Sequence, residues 1–191
     1  MKMLKNILSN NLNKKILIMP VGLSGSGKTT LYKEISGDFD IEYISFDSIR
    51  IEMFEKKTGK KVKNKEDYRE AFRFVSENKI KLLPVAKEKL LKTDKKIVYI
   101  DNTNLKRKSR NKFLCVADDF LKIAIFFEPD LKKCINRQFT QNRDKTVPVS
   151  VLLEQYRMIE PPELGEFDII IRKRLKDGEN CCNNWSFKRS R

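Results

Sequence analysis

The chain has 191 residues, 40% apolar and 35% charged, a balance that suits one soluble α/β domain with its own core and excludes a disordered chain. Its 41 Lys and Arg outnumber 26 Asp and Glu, and the resulting +15 suits a polyanionic partner as well as it suits a merely lysine-rich composition. Histidine is absent, which excludes imidazole bases and His-based triads and leaves a carboxylate, lysine, tyrosine or cysteine for that role.

Met1 to Asn11 has lysines but no continuous apolar stretch and no small-residue cleavage site, so a cytoplasmic protein without a secretory signal is expected. The longest apolar run, Ile16 to Leu23, is far too short to cross a bilayer. Strand-like runs then follow at Lys15–Val21, Ile41–Phe46, Lys96–Ile100, Leu121–Phe127 and Phe167–Arg172. Helical stretches lie between them: Lys28–Ile35, Ile49–Lys57, Glu66–Leu91 with a break at Pro84, Ser109–Phe120, Leu131–Phe139 and Val149–Ile159. This alternation predicts βαβ units, and hence an α/β fold with a five-stranded, mostly parallel sheet covered by helices. No Pro/Gly/Ser linker divides the chain, so one domain is expected over residues 1–174, followed by a basic, loosely ordered tail over 175–191 whose Trp185 and Phe187 can dock on the body. Cys115 and Cys134 fall in apolar or helical segments and read as buried thiols. Cys181 and Cys182 are adjacent and have no second pair, which argues against zinc and against a disulfide framework.

The strongest signal is Gly22-Leu23-Ser24-Gly25-Ser26-Gly27-Lys28-Thr29, which satisfies G-x-x-x-x-G-K-[ST] at every required position between a strand and a helix. Gly22, Gly25 and Gly27 let the backbone wrap a phosphate, and the N–H groups through Ser24 and Ser26 point inward. The helix that starts near Lys28 adds its positive end. Lys28 is expected on the β and γ phosphates of ATP, the Thr29 hydroxyl on Mg²⁺, and Thr30 beside them in the first helical turn.

The second strand leads into Asp47 and Arg50. Ligands of an open parallel sheet gather at the carboxyl ends of its strands, the edge that also carries the phosphate loop. There Asp47 can accept a proton from an attacking hydroxyl, and Arg50 can hold a neighbouring phosphate with a forked pair of bonds. Asp47 can also simply cap the following helix. The third strand runs into Asp101-Asn102-Thr103-Asn104, with Asp101 placed for Mg²⁺ or its water shell and Asn102 and Asn104 placed to touch substrate or to fix the loop. The basic run Lys106 to Arg110 either contacts phosphates or is a solvated helix start. Arg137 to Pro148 has the character of a lid, and an arginine there can neutralise charge on a transferring phosphoryl group.

Together, Gly22–Thr29, Asp47-x-x-Arg50, Ile100-Asp101-Asn102-Thr103-Asn104, the lid with Arg137 and Arg143, and Val147-Pro148 before a helix resemble the P-loop polynucleotide 5′-hydroxyl kinases, within a broader group of related P-loop kinases. The resemblance spans Lys15 to about Arg172 and implies an adenylate-kinase-like sheet with a helical lid. It implies transfer of the γ-phosphate of ATP to the 5′-OH end of DNA or RNA. Asp47 would be the base, Arg50 would grip the acceptor phosphate, and Arg143, ahead of Arg137, would stabilise the moving group. No Asp-x-Asp-Gly-Thr phosphatase motif accompanies the set, and the spacing of the two lid arginines is wider than in the phage enzymes. The same motifs serve kinases of small molecules such as a nucleoside, sugar or antibiotic, and a nucleic-acid-binding NTPase is the third reading.

Overall fold

The computed structural model describes residues 2–140, 146–174 and 185–189. Six strands, β1 (Lys15–Val21), β2 (Ile41–Ile44), β3 (Ile97–Ile100), β4 (Phe120–Phe127), β5 (Ile169–Lys173) and β6 (Trp185–Arg189), form one sheet in the order β2-β3-β1-β4-β5-β6. The first five are mutually parallel, and β6 runs antiparallel along β5 with Ile171 opposite Phe187. Because β1 lies between β3 and β4, the chain winds outward on both sides of it. The carboxyl end of β1 is therefore the switch point where an open sheet leaves a crevice.

The helices are α1 (Lys2–Ser9), α2 (Lys28–Ser36), α3 (Phe46–Thr58), α4 (Lys65–Glu77), α5 (Leu82–Lys92), α6 (Arg107–Leu114), α7 (Leu131–Thr140) and α8 (Val149–Met158). Residues of β1 alternate between two apolar layers, as the two-residue period of a strand dictates. Ile16 and Ile18 pack with Leu4 and Leu8 of α1 and Leu31 and Ile35 of α2. Leu17 and Met19 pack on the opposite face with Ile49 of α3, Ala86 and Leu90 of α5 and Phe113 of α6. Each such side chain contributes about 1.5–3 kcal/mol by leaving water. A smaller cluster of Leu23, Leu105, Cys134 and Leu152 anchors the phosphate loop to the third strand's loop and to α7 and α8.

Several expectations are corrected. The segment before β1, for which the sequence suggests no element, is a short amphipathic helix that buries Leu4 and Leu8. The second strand stops at Ile44, because Ser45 and Ser48 form a reciprocal capping box that starts a helix at Phe46. The break between α4 and α5 falls at residues 78–81, where Lys79 has φ +50°, and not at Pro84. Pro84 sits in the first turn of α5, where N–H groups have no intrahelical acceptor and a proline costs little. The helix expected to reach Phe120 ends at Leu114, and Cys115 beside it is exposed, while Cys134 is buried as expected. In the tail, Trp185–Arg189 pairs as an edge strand in place of the loose order expected there, while 175–184, with Cys181 and Cys182, lies outside the described residues. Among the described residues no helix is long and apolar enough to cross a membrane.

Candidate active site

The phosphate loop leaves β1 at Gly22 and enters α2 at Lys28. Gly22 packs so closely that a Cβ on it would lie 2.8 Å from Phe127 Cβ and 2.9 Å from Ser26 Oγ. Gly25 and Gly27 have φ of +86° and +97°, a region that side chains other than glycine rarely enter. The loop can therefore take its curvature only with glycine at these places. Lys28, 8% exposed, donates from Nζ to the carbonyls of Gly22 at 3.0 Å and Leu23 at 2.7 Å. Its ammonium thus lies over the concave loop, within reach of any phosphate the loop holds. Ser26 Oγ is buried without a hydrogen-bond partner among the described residues, and Thr29 and Thr30 are exposed in the first turn of α2.

Across the loop, Asp101 sits at the end of β3. Its Oδ2 accepts from the Thr29 hydroxyl at 2.5 Å and from the Tyr43 hydroxyl at 2.8 Å. Thr29 and Asp101, the two residues expected at a metal, are thus brought together. They are hard oxygen donors of the kind Mg²⁺ takes. The Tyr43 hydroxyl is pushed above its ordinary pKa, first by burial and then by the Asp101 charge, so it remains a donor throughout the working pH range. Tyr99, the partner of Tyr43 in the β2–β3 register, donates to the Lys28 carbonyl at 2.7 Å. Burial, foremost, raises its pKa as well.

On the acceptor side, the capping box makes Ser45 the cap of α3 and leaves Asp47 in the second helical position. The capping role open to Asp47 on sequence is therefore taken by another residue. Asp47 Oδ1 accepts from Arg50 Nη1 at 2.6 Å and from the Tyr68 hydroxyl of α4 at 2.7 Å. The Asp47 side chain is 47% exposed, the Arg50 side chain 13%. The Arg50 guanidinium lies over the Phe72 ring, 4.7 Å from its centroid, and its Nε is buried without a hydrogen-bond partner among the described residues. Asp47 and Asp101 occupy one sheet edge. The Asp101 N–H bonds the Ile44 carbonyl at 2.8 Å, and the Phe46 N–H bonds Asn102 Oδ1 at 3.1 Å.

Asn102 and Asn104, expected at substrate, are used by the loop itself. Asn104 is 5% exposed, has φ +50°, and donates from Nδ2 to the carbonyls of Pro20 at 2.8 Å and Ile100 at 3.0 Å. It ties the ends of β1 and β3 together and cannot reach a ligand. Asn102 holds the start of α3. Of the basic run, Arg110 is fully buried: its Nε and Nη2 fork onto the Glu166 carboxylate at 3.2 and 2.7 Å, and its Nη1 donates to the carbonyls of Asn104, Leu105 and Glu160. It is a staple behind the loop and does not contact phosphate.

Arg137 of α7 donates from Nη1 to the Gly25 carbonyl at 3.0 Å, which sets its guanidinium against the phosphate loop. Arg143, preferred for that role on sequence, lies outside the described residues. Gln155 of α8 has no forerunner in the sequence reading. Its Oε1 accepts from the Ser24 N–H at 2.8 Å and its Nε2 donates to Ser24 Oγ at 3.0 Å. Nor did the sequence point to Tyr43, Tyr68 or Tyr99, since a tyrosine in a strand or helix carries no motif. Only alternation along β3 marks Tyr99 as facing the α2 layer.

Fold and loop define a nucleotide-binding P-loop kinase-like domain. A family model described as an AAA domain, AAA_33, matches residues 17–162, and the chain belongs to that family. No curated protein matches the chain in sequence. Solved structures similar to it include a gluconokinase from Sinorhizobium meliloti 1021, with TM-score 0.57 and 19% identity over 85% of this chain and 84% of that one. Kti12 from Chaetomium thermophilum, solved in complex with ADP-AlF3, gives 0.54 and 19% over 85% and 91%. A sugar kinase from a Janibacter species gives 0.50 and 18% over 84% and 85%. At these identities the likeness is one of fold.

Proposed function

We propose that this chain is an ATP-dependent kinase that moves the γ-phosphoryl group of ATP to the 5′-hydroxyl end of DNA or RNA. The observation that carries the reading is the Asp47–Arg50 pair, joined at 2.6 Å on the sheet edge that also bears the phosphate loop. A carboxylate there accepts the proton of an attacking alcohol, and a guanidinium beside it grips an anionic group on the same acceptor. Loop amides and Lys28 hold the triphosphate, and Arg137 adds positive charge beside them. Thr29 and Asp101 would hold Mg²⁺, which when bound neutralises charge on the β and γ oxygens. The acceptor oxygen forms a bond to the γ-phosphorus as the bond to the bridging oxygen breaks. Its proton passes to Asp47, and ADP leaves. Transfer of this kind needs alignment and fixed charge more than covalent chemistry, and these side chains supply both.

A small alcohol, such as a nucleoside, sugar or antibiotic, is the second reading, because the half-exposed Asp47 carboxylate can take the proton of a small alcohol as readily as that of a strand end. The two separate in one experiment. The purified protein is offered ATP labelled at the γ position with 5′-hydroxyl oligonucleotides, nucleosides and sugars, at rising salt. Labelled oligonucleotide ends, with activity falling steeply with salt because backbone phosphates are contacted, are the expected result. Labelled sugar or nucleoside alone, insensitive to salt, refutes the polynucleotide reading.

A further inference from the structure

The Phe72 ring is unusual for its place. It is 52% exposed, yet it is not an isolated surface residue, because one face lies against the Arg50 guanidinium, 4.7 Å from ring centroid to Cζ. That same guanidinium donates to Asp47, and Tyr68, one turn earlier on α4, donates to the same oxygen. Residues four apart on a helix share a face, so Tyr68 and Phe72 form one aromatic stripe directed at the Asp47–Arg50 pair. The rest of α4 behaves ordinarily: Ala71 and Val75 enter the core, and Phe74 packs edge-on against Phe54.

Resting on the polynucleotide reading, we propose that Phe72 is the stacking platform for the terminal nucleobase of the acceptor, and so a specificity-determining residue. Arg50, fixed between ring and carboxylate, holds the phosphate that follows the reacting end. A base stacked on the ring face opposite Arg50 then lets the sugar pass the ring edge and turn its 5′-hydroxyl to Asp47. Stacking on an aromatic face tolerates any base, because every base has a π-face, so the platform selects for the presence of a base and not for its identity.

The test uses two acceptors that differ only at the 5′ end, one with a terminal base and one with a terminal abasic sugar, each bearing a 5′-hydroxyl. The wild-type protein is expected to show a KM about tenfold lower for the base-bearing acceptor, in line with the stacking contribution of a single base. Phe72→Ala should raise that KM to the abasic value, and Phe72→Trp should restore the difference. The KM for ATP should be the same in all three proteins. If Phe72→Ala slows both acceptors equally, the ring only braces Arg50 and the proposal is overturned. Equal wild-type KM values for the two acceptors overturn it as well. If neither acceptor is phosphorylated while a small alcohol is, the polynucleotide reading itself falls and this inference falls with it.

Discussion

Glu166→Gln tests how the loop that carries Asp101 is held. Arg110 is fully buried, and the Glu166 side chain opposite it is 4% exposed. Two of the five guanidinium donors are satisfied by the carboxylate, at 3.2 and 2.7 Å, and Nη1 is spent on three carbonyls. A glutamine at 166 keeps the shape but removes the counter-charge and turns an N–H towards the guanidinium. Removing one partner of a buried pair leaves an uncompensated charge and costs about 3–5 kcal/mol. In a domain of this size each kcal/mol moves the unfolding midpoint by about 2–4 °C, so the midpoint should fall by on the order of 10 °C. Thermal unfolding followed by circular dichroism measures this directly. Glu163→Gln is the control, because its ion pair with Arg107 spans 3.4 Å between side chains 69% and 60% exposed. Pairs of that kind contribute about 0–1 kcal/mol, so the control should barely move. Equal midpoints for Glu166→Gln and the wild type would refute the assignment of Arg110 as a charged staple.

Three further outcomes follow from the site. Asp47→Asn should retain ATP binding by calorimetry and lose phosphoryl transfer by about 10²–10⁴-fold, whereas Lys28→Ala should lose both; unimpaired transfer by Asp47→Asn would remove the base from the scheme. Gly22→Ala places a methyl group 2.8 Å from Phe127 Cβ, an overpacking expected to cost about 1–3 kcal/mol in urea unfolding and to weaken nucleotide affinity. Gln155→Ala frees Ser24 from two hydrogen bonds of about 0.5–1.5 kcal/mol each, so the KM for ATP should change by about tenfold; a change confined to the acceptor KM would contradict its place on the loop.

What the sequence reveals here is what local patterning controls. The phosphate loop was legible because its glycines answer a backbone demand that no other residue meets, and the parallel sheet because short apolar runs alternate with helices. Asp47, Arg50 and Asp101 were legible as residues at strand ends. The roles of Asn102 and Asn104 were not, since a polar loop residue next to a ligand and one that binds its own backbone have the same sequence. Only burial separates them, and at 5% exposure Asn104 belongs to the second kind. Arg110 shows the same limit: a basic run looks solvated until Glu166, distant in the chain, proves to lie beneath one of its members. Tyr68 meets Asp47 across a helix pair whose packing no motif encodes. α1 escaped because eight residues make barely two turns, too short a window for the one-sided pattern of Met3, Leu4, Ile7 and Leu8 to stand out.

The sixth strand has a consequence for handling the protein. β5 is Ile169-Ile170-Ile171 followed by two basic residues, and its three isoleucines are buried. With Trp185–Arg189 alongside, the outer row of peptide groups on β5 is already matched. A version shortened at Arg174 would bare that row next to three β-branched side chains, a template on which a second molecule can add its own strand. The margin is thus moved onto a short strand carrying Lys188 and Arg189, the kind of charged edge that discourages strand addition, away from the chemistry at the carboxyl end of β1.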